Sequence, residues 1–120
     1  MQLALGRAPG LTARHVNSVL TASGSSSDLR ALFTHARQGL CDVVLPPAAR
    51  DALRSPDLAR LASDRRWMQR ERIELIDAAS ALYPPRLIQI PDAPALLYVK
   101  GIVASLQAPQ LAIVGSRNPT

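Results

Sequence analysis

The sequence predicts a mainly α chain: a small bundle of short helices followed by the first strands of an incomplete α/β domain. Three observations lead there. Over residues 1–70, apolar residues recur at helical spacing and are broken by sharp stop signals. From Glu71 onward prolines become dense, six of them between Pro84 and Pro119, and the apolar runs between them are short. The last ten residues, LAIVGSRNPT, read as a buried strand that feeds a small, polar, basic turn.

The helices come first. Leu3 and Leu5 open an apolar stretch that the APG of residues 8–10 ends. Thr12 is a good N-cap for a second helix, with Val16, Val19 and Leu20 on one face. Leu11 before that cap and Val16 four positions into the helix form a hydrophobic staple. Gly24 closes this helix. Ser27 caps a third, with Leu29, Leu32 and Phe33 on one face and Gly39 at its end. Pro46 and Pro47 start a fourth that runs to about Leu53. Ser55-Pro56 reads as a cap followed by proline at the first helical position. Leu58, Leu61 and Met68 then carry a fifth helix to about Arg70, with Trp67 on its flank.

The strands follow. Ile73 and Leu75 alternate in RIELI, which predicts a strand. In LYPPRLIQIPDAPALLYVKG prolines alternate with apolar runs, which excludes a long helix; ALLYV is a strand that ends at Lys100-Gly101. A short turn or helix covers Val103 to Leu106. QLAIV is the last strand, and its near-continuous apolar run predicts burial on both faces, as in a parallel sheet. The domains so expected are a helical one over 1–70 and the beginning of an α/β one over 71–120.

Charge narrows the function classes. The chain of 120 residues carries a net charge of +5. Residues 1–70 hold ten Arg against five Asp, whereas residues 71–120 balance Arg72, Arg86, Lys100 and Arg117 against Glu71, Glu74, Asp77 and Asp92. Thirteen of the fourteen basic residues are Arg, whose fork of donors suits bidentate phosphate contacts, so polyanions are the first class of partner to consider. A GC-rich coding sequence would produce the same Ala and Arg content. The single cysteine, Cys41, excludes an internal disulfide and a Cys-based zinc site, and it reads as a small buried hydrophobe. His15 and His35 lie outside any ligand spacing, so no metal is expected. No apolar run is long enough to span a membrane, and MQLALGRAPG has neither the length nor the charge order of a signal peptide; the expected location is the cytoplasm.

Four features could meet a polyanion. The segment LGRAPGLTARHVNSVL resembles a helix–hairpin–helix, in which a turn and the next helix N-terminus offer backbone N–H groups to a DNA phosphate; Thr12 stands where that motif prefers a second glycine. A hairpin used only for packing is the alternative. Arg66 and Arg70, four apart on the fifth helix, share a face that either tracks phosphates or is simply solvated. Lys100 beside Gly101 is a candidate surface phosphate contact. In the terminal turn Gly115 permits close backbone approach, Ser116 offers a hydroxyl and Arg117 a guanidinium, at the carboxyl end of a strand where ligands of open α/β sheets sit. The turn is neither a P-loop nor a dinucleotide fingerprint. Trp67 and Tyr98 could stack on bases, but with 3% aromatic residues core packing is the expectation for both. Tyr83, ahead of two prolines, reads as a turn anchor at the junction between helices and strands.

Taken in order, YPPRL, PDAPALLYVKG and LAIVGSRNPT resemble the DNA-processing family called DprA or Smf. The residues that fit its pattern are Tyr83, Pro84, Leu87, Ile90, Asp92, Pro94, Leu97, Gly101, Ala112 to Arg117 and Thr120. The helical part is similar to that family's small sterile-alpha-motif-like, or helix–hairpin–helix-like, domain. The resemblance implies a bacterial cytoplasmic protein of natural transformation that binds and protects incoming single-stranded DNA and loads the RecA recombinase on it. It implies a Rossmann-like DNA-binding domain that dimerises, with no nucleotide cofactor and no catalysis. Ser116 and Arg117 carry over as DNA contacts within a phosphate-binding pocket.

Family members are several-fold longer and continue past the GSR turn, so the chain reads as an N-terminal fragment. On that reading much of 105–120 is expected to be disordered or paired with another chain, since a lone parallel strand exposes its faces and its backbone. Two other functions compete. A helical domain of this kind can be a protein-interaction module, with the positive charge serving an acidic surface. GSR-like turns also occur in nucleotide-hydrolysing Rossmann relatives, but the YPPRL and DAPALLYVKG blocks, and the absence of an acid–base pair among His15, His35, Glu71 and Glu74, argue against an enzyme.

Overall fold

The computed structural model describes residues 2–22, 24, 33–34, 38 and 45–111. Within them the chain is helix-rich with one two-stranded antiparallel sheet. Helix α1 spans Gln2–Gly6 and buries Ala4 and Leu5. A turn from Ala8 to Leu11, closed by Leu11 N–H donating to the Ala8 carbonyl at 3.2 Å, leads out of it. Pro9 and Gly10 occupy its centre, and Gly10 takes φ +72°, the left-handed conformation that a type II turn asks of glycine.

Helix α2, Ala13–Ala22, buries Ala13, Val16, Val19 and Leu20, which is the face its periodicity predicts. Leu11 and Val16 are both buried, so the expected staple pair sits in the core. His15 reaches back to the helix start: its Nδ1 accepts from the Thr12 N–H at 3.2 Å, the contact usually made by Glu or Gln at this position, and lies 2.9 Å from the Thr12 hydroxyl. Gly24 follows this helix with φ +67°.

The expected third helix lies outside the described residues, apart from Phe33, Thr34 and Gln38; Phe33 packs against the core. Helix α3 runs Pro47–Arg54 with proline in its first turn, and Ala49 and Leu53 meet the core one turn apart. Helix α4 covers Leu58–Glu71. Its cap differs from the expectation. Asp57, not Ser55, sits at the N-cap and accepts from the Arg60 N–H at 3.0 Å. A carboxylate two residues on offers the same acceptor with a negative charge beside the positive helix end.

Strand β1, Ile73–Asp77, pairs antiparallel with β2, Leu96–Lys100, with Ile73 opposite Lys100 and Asp77 opposite Leu96. Side chains alternate across a strand, so Leu96, Tyr98 and Lys100 share one face with Leu75 and Ile73. Helix α1 lies on that face, close enough that a Cβ on Gly6 would stand 2.5 Å from Tyr98 Oη. Leu97 and Val99 line the other face with Ile76.

The connection between the strands is tied at several points. Asp77, buried at the end of β1, accepts from Ala79 N–H at 2.9 Å and from the Gln2 amide at 2.8 Å. The Tyr83 ring is buried and its hydroxyl donates to the Pro94 carbonyl at 2.7 Å, which makes it a turn anchor in fact. Burial pushes its phenol pKa up. A 3-10 turn covers Leu87–Gln89. Ala93 and Ala95 are buried, and the Ala93 carbonyl takes the Ala13 N–H at 2.8 Å, next to a bridge between Thr12 and Pro94. The core therefore runs without a break from Ala4 and Val16 through Leu53 to Ile76, Tyr83 and Leu96.

Beyond β2 a 3-10 helix spans Val103–Gln107. Leu106 packs against the core and the Gln107 amide donates to the Leu82 carbonyl at 2.8 Å. Leu106, Gln107 and Gln110 are therefore placed by contacts with their own chain, which differs from the expectation of disorder for that part. The strand expected over QLAIV does not include Gln110 or Leu111; Leu111 is 88% exposed, so its expected burial on both faces is not found. The rest of that run, 112–114, lies outside the described residues.

Candidate nucleic-acid interface

Helix α4 carries Arg60, Arg65, Arg66 and Arg70, and none of its residues is fully buried. Its last turn meets the end of β2. The antiparallel register sets Lys100 opposite Ile73, two residues past Glu71. Lys100 Nζ lies 3.1 Å from Glu71 Oε2, and Arg70 Nε lies 3.5 Å from Glu71 Oε1. Two of the residues singled out in the sequence, Arg70 and Lys100, are thus brought together around one carboxylate. The Lys100 ammonium first, and then Arg70, hold the Glu71 carboxyl below the usual carboxylate range. Two cations sharing one anion leave the cluster positive. Their side chains remain 72% and 67% exposed, so they can turn toward a phosphate in solution. Arg66 is exposed one turn before Arg70 on the same side of the helix and forms no ion pair among the described residues.

A second ion pair docks the helix. Arg7, just past α1, donates to Asp64 through Nε at 2.9 Å and through its terminal nitrogen at 2.7 Å. This bidentate contact holds the Asp64 carboxyl below its ordinary value and raises the guanidinium of Arg7.

Between these two pairs lie the aromatic residues expected in the core. Trp67 is 43% exposed and Tyr98 42% exposed, with ring centroids 6.4 Å apart and planes tilted by 52°. They pack on each other at the surface, where α4 crosses β2. Leu75 and Leu96 already fill the sheet face beneath, and α1 approaches so closely at Gly6 that no room is left to bury either ring. Sequence reasoning missed this pairing and the part played by Arg7.

The hairpin before α2 is not arranged as an open anion site. Thr12 N–H is taken by His15, Ala13 N–H by the Ala93 carbonyl and Leu11 N–H by Ala8. Donors that a helix–hairpin–helix would direct at a phosphate are used inside the protein, which favours packing as the role of this hairpin. Gly115, Ser116 and Arg117 lie outside the described residues. Among the described residues no group of three His, Cys, Asp or Glu side chains is placed to hold a metal ion, and no helix is long and apolar enough to cross a membrane.

Comparison with known proteins places the strand half of this surface in context. Residues 74–120 match the family described as DNA recombination-mediator protein A. A stretch of 51 residues is 43% identical to Protein Smf of Escherichia coli (strain K12). That match covers 42% of this chain and 14% of the relative, so the chain accounts for a small part of the relative's length. No solved structure matches. The matched region contains Lys100, Gly115, Ser116 and Arg117, whereas Arg66 and Arg70 precede it. Over residues 74–120, this chain is therefore similar to the DNA recombination-mediator protein A family.

Proposed function

We propose that this chain takes part in DNA recombination by binding single-stranded DNA through the basic end of α4 and β2, together with Gly115, Ser116 and Arg117. The observation that carries the reading is the convergence of Arg70 and Lys100 on Glu71, with Arg66 exposed one turn away, beside a strand that falls in the segment matching the recombination-mediator family. Backbone phosphates are the natural ligand for exposed Arg and Lys side chains that lack a shaped pocket. The larger role is that of the resemblance: protection of incoming strands in natural transformation and loading of RecA, in the cytoplasm, by a protein that acts through binding rather than catalysis. Homodimerisation belongs to the longer protein of that role.

The test is fluorescence anisotropy of a labelled oligothymidylate across a salt series. The wild-type chain is compared with Arg66→Ala/Arg70→Ala and with Arg117→Ala. Each phosphate contact on a single strand contributes about 0.7 to the slope of log affinity against log salt, so the double variant should lose about 1.4 from it. An unchanged slope would remove α4 from the interface. Absence of binding even at low salt would favour a second reading, docking of a protein partner. An observation supports that alternative. Between β2 and the two 3-10 helices lies a cleft of about 900 Å³ whose apolar lining, Leu87, Ile90, Val99 and Leu106, suits an apolar segment and whose edge includes Tyr98 and Lys100.

A further inference from the structure

We propose that the Trp67–Tyr98 pair is a base-stacking platform, and that α4 and β2 hold a single strand with its bases on these rings and its phosphates on the flanking cations. The inference rests on the single-stranded DNA reading and adds to it a site that this reading does not require.

The chain has four aromatic side chains in all. In so aromatic-poor a protein, two of the four meet at the surface, each more than two-fifths exposed, while Tyr83 is spent in the core. Charge surrounds them in one pattern. On α4, Arg70 lies one turn after Trp67 and Arg66 immediately before it. On β2, Lys100 lies two residues beyond Tyr98 on the same strand face, about 7 Å along the strand. On the α1 side, Gly6 touches the Tyr98 hydroxyl and Arg7 follows.

The two acids that face the rings are both engaged. Asp64 is held by the fork of Arg7, and Glu71 is shared by Lys100 and Arg70. Among the described residues, each carboxylate beside these rings is therefore neutralised by a cation. Exposed rings with cations on two sides, Arg66 and Arg70 on α4 and Lys100 on β2, are what a sequence-tolerant single-strand site requires, because every base offers a π-face while the backbone follows the charge. A duplex would keep its bases stacked inside and could use only the cations.

Trp67 is the single tryptophan, so its emission reports on this site alone. The experiment titrates the chain with oligothymidylate and, in parallel, with an abasic oligodeoxynucleotide of equal length that keeps the phosphates and lacks the bases. Oligothymidylate should quench Trp67 emission and bind more tightly; the abasic strand should bind weakly, with emission unchanged. Trp67→Leu and Tyr98→Leu should each weaken oligothymidylate binding about tenfold and leave abasic binding as it was. Trp67→Phe retains a ring and should recover most of the affinity, which separates stacking from a folding defect. Equal affinity for the two polymers, or an oligothymidylate complex with unaltered emission, would overturn the platform while leaving the phosphate contacts of α4 standing. Failure of the wild-type chain to bind either polymer at low salt would overturn both.

Discussion

A Cβ on Gly6 would stand 2.5 Å from Tyr98 Oη and 3.0 Å from Leu96 Cδ2, so the absence of a side chain there decides where the aromatic pair can sit. In Gly6→Ala two effects oppose each other. Crowding costs about 1 kcal/mol or more, and the better helix propensity of alanine returns up to about 1 kcal/mol. The net stability change is therefore small, but the exposed Tyr98 ring must swing away from Trp67. The expected readout is a changed Trp67 emission and a weaker near-ultraviolet circular dichroism signal at nearly constant melting temperature; unchanged spectra would show that the contact yields in some other way. Asp77 behaves differently because it is buried. Asp77→Ala strands the Ala79 N–H, while the exposed Gln2 amide returns to water, so one unsatisfied group sets a cost of about 2 kcal/mol in a urea titration. Asp77→Asn keeps an acceptor and should recover most of it. Local pairs such as Leu11 with Val16 were legible in the sequence because helix geometry alone fixes them. Trp67 with Tyr98 was not, since that contact depends on the register of β1 against β2 and on the space left at Gly6.

Among the described α-helices, α4 is the one whose position owes least to the core. It has no fully buried residue; Leu61 packs against the core, and polar ties do much of the rest. Arg7–Asp64 clamps its middle to α1, and Glu71–Lys100 clamps its end to β2. Both carboxyls are held below the usual range by their cationic partners. The folded state therefore binds fewer protons than the unfolded chain as pH falls through that range. The stabilisation from these pairs is present above the ordinary carboxylate value of about pH 4 and is lost as pH drops toward the depressed folded values. Trp67 lies between the two clamps, so its emission should follow an acid transition centred below the ordinary carboxylate range. In Arg7→Ala the Asp64 component should move up toward the ordinary value, with only a small loss of stability at neutral pH because the pair is screened by solvent. An identical transition in the variant would mean that Asp64 does not gate the docking of α4. The existence of this helix was evident from Leu58, Leu61 and Met68, and its end was read to within a residue. Its cap was not, because Ser55-Pro56 and Asp57 both offer start signals, and the carboxylate nearer the helix took the position.

Taken as a whole, the molecule joins its helices and its hairpin through one core, although the composition changes sharply near Glu71. That change marks where helix gives way to strand: α4 ends at Glu71 and β1 begins at Ile73. It does not mark a gap in packing. Tyr83, Ala93 and Leu96 share the core with Leu5, Val16 and Leu53, and the Ala93 carbonyl caps the first turn of α2. These contacts were hidden from the sequence because each joins residues far apart in the chain through apolar side chains that carry no pairing code. Their consequence is cooperative unfolding. Leu96→Ala removes a buried side chain from the hairpin and should cost about 2–5 kcal/mol. If the core is a single unit, hydrogen exchange of the amides of α2 should accelerate by the same factor as exchange in β1 and β2. Should the hairpin alone lose protection, the helices would be a separate folding unit and the buried contacts across residue 70 would contribute little to stability. The distinction matters for the proposed interface, since Trp67 and Arg70 come from a helix and Tyr98 and Lys100 from a strand. A site assembled from both can hold its geometry only as well as the core beneath it ties them together.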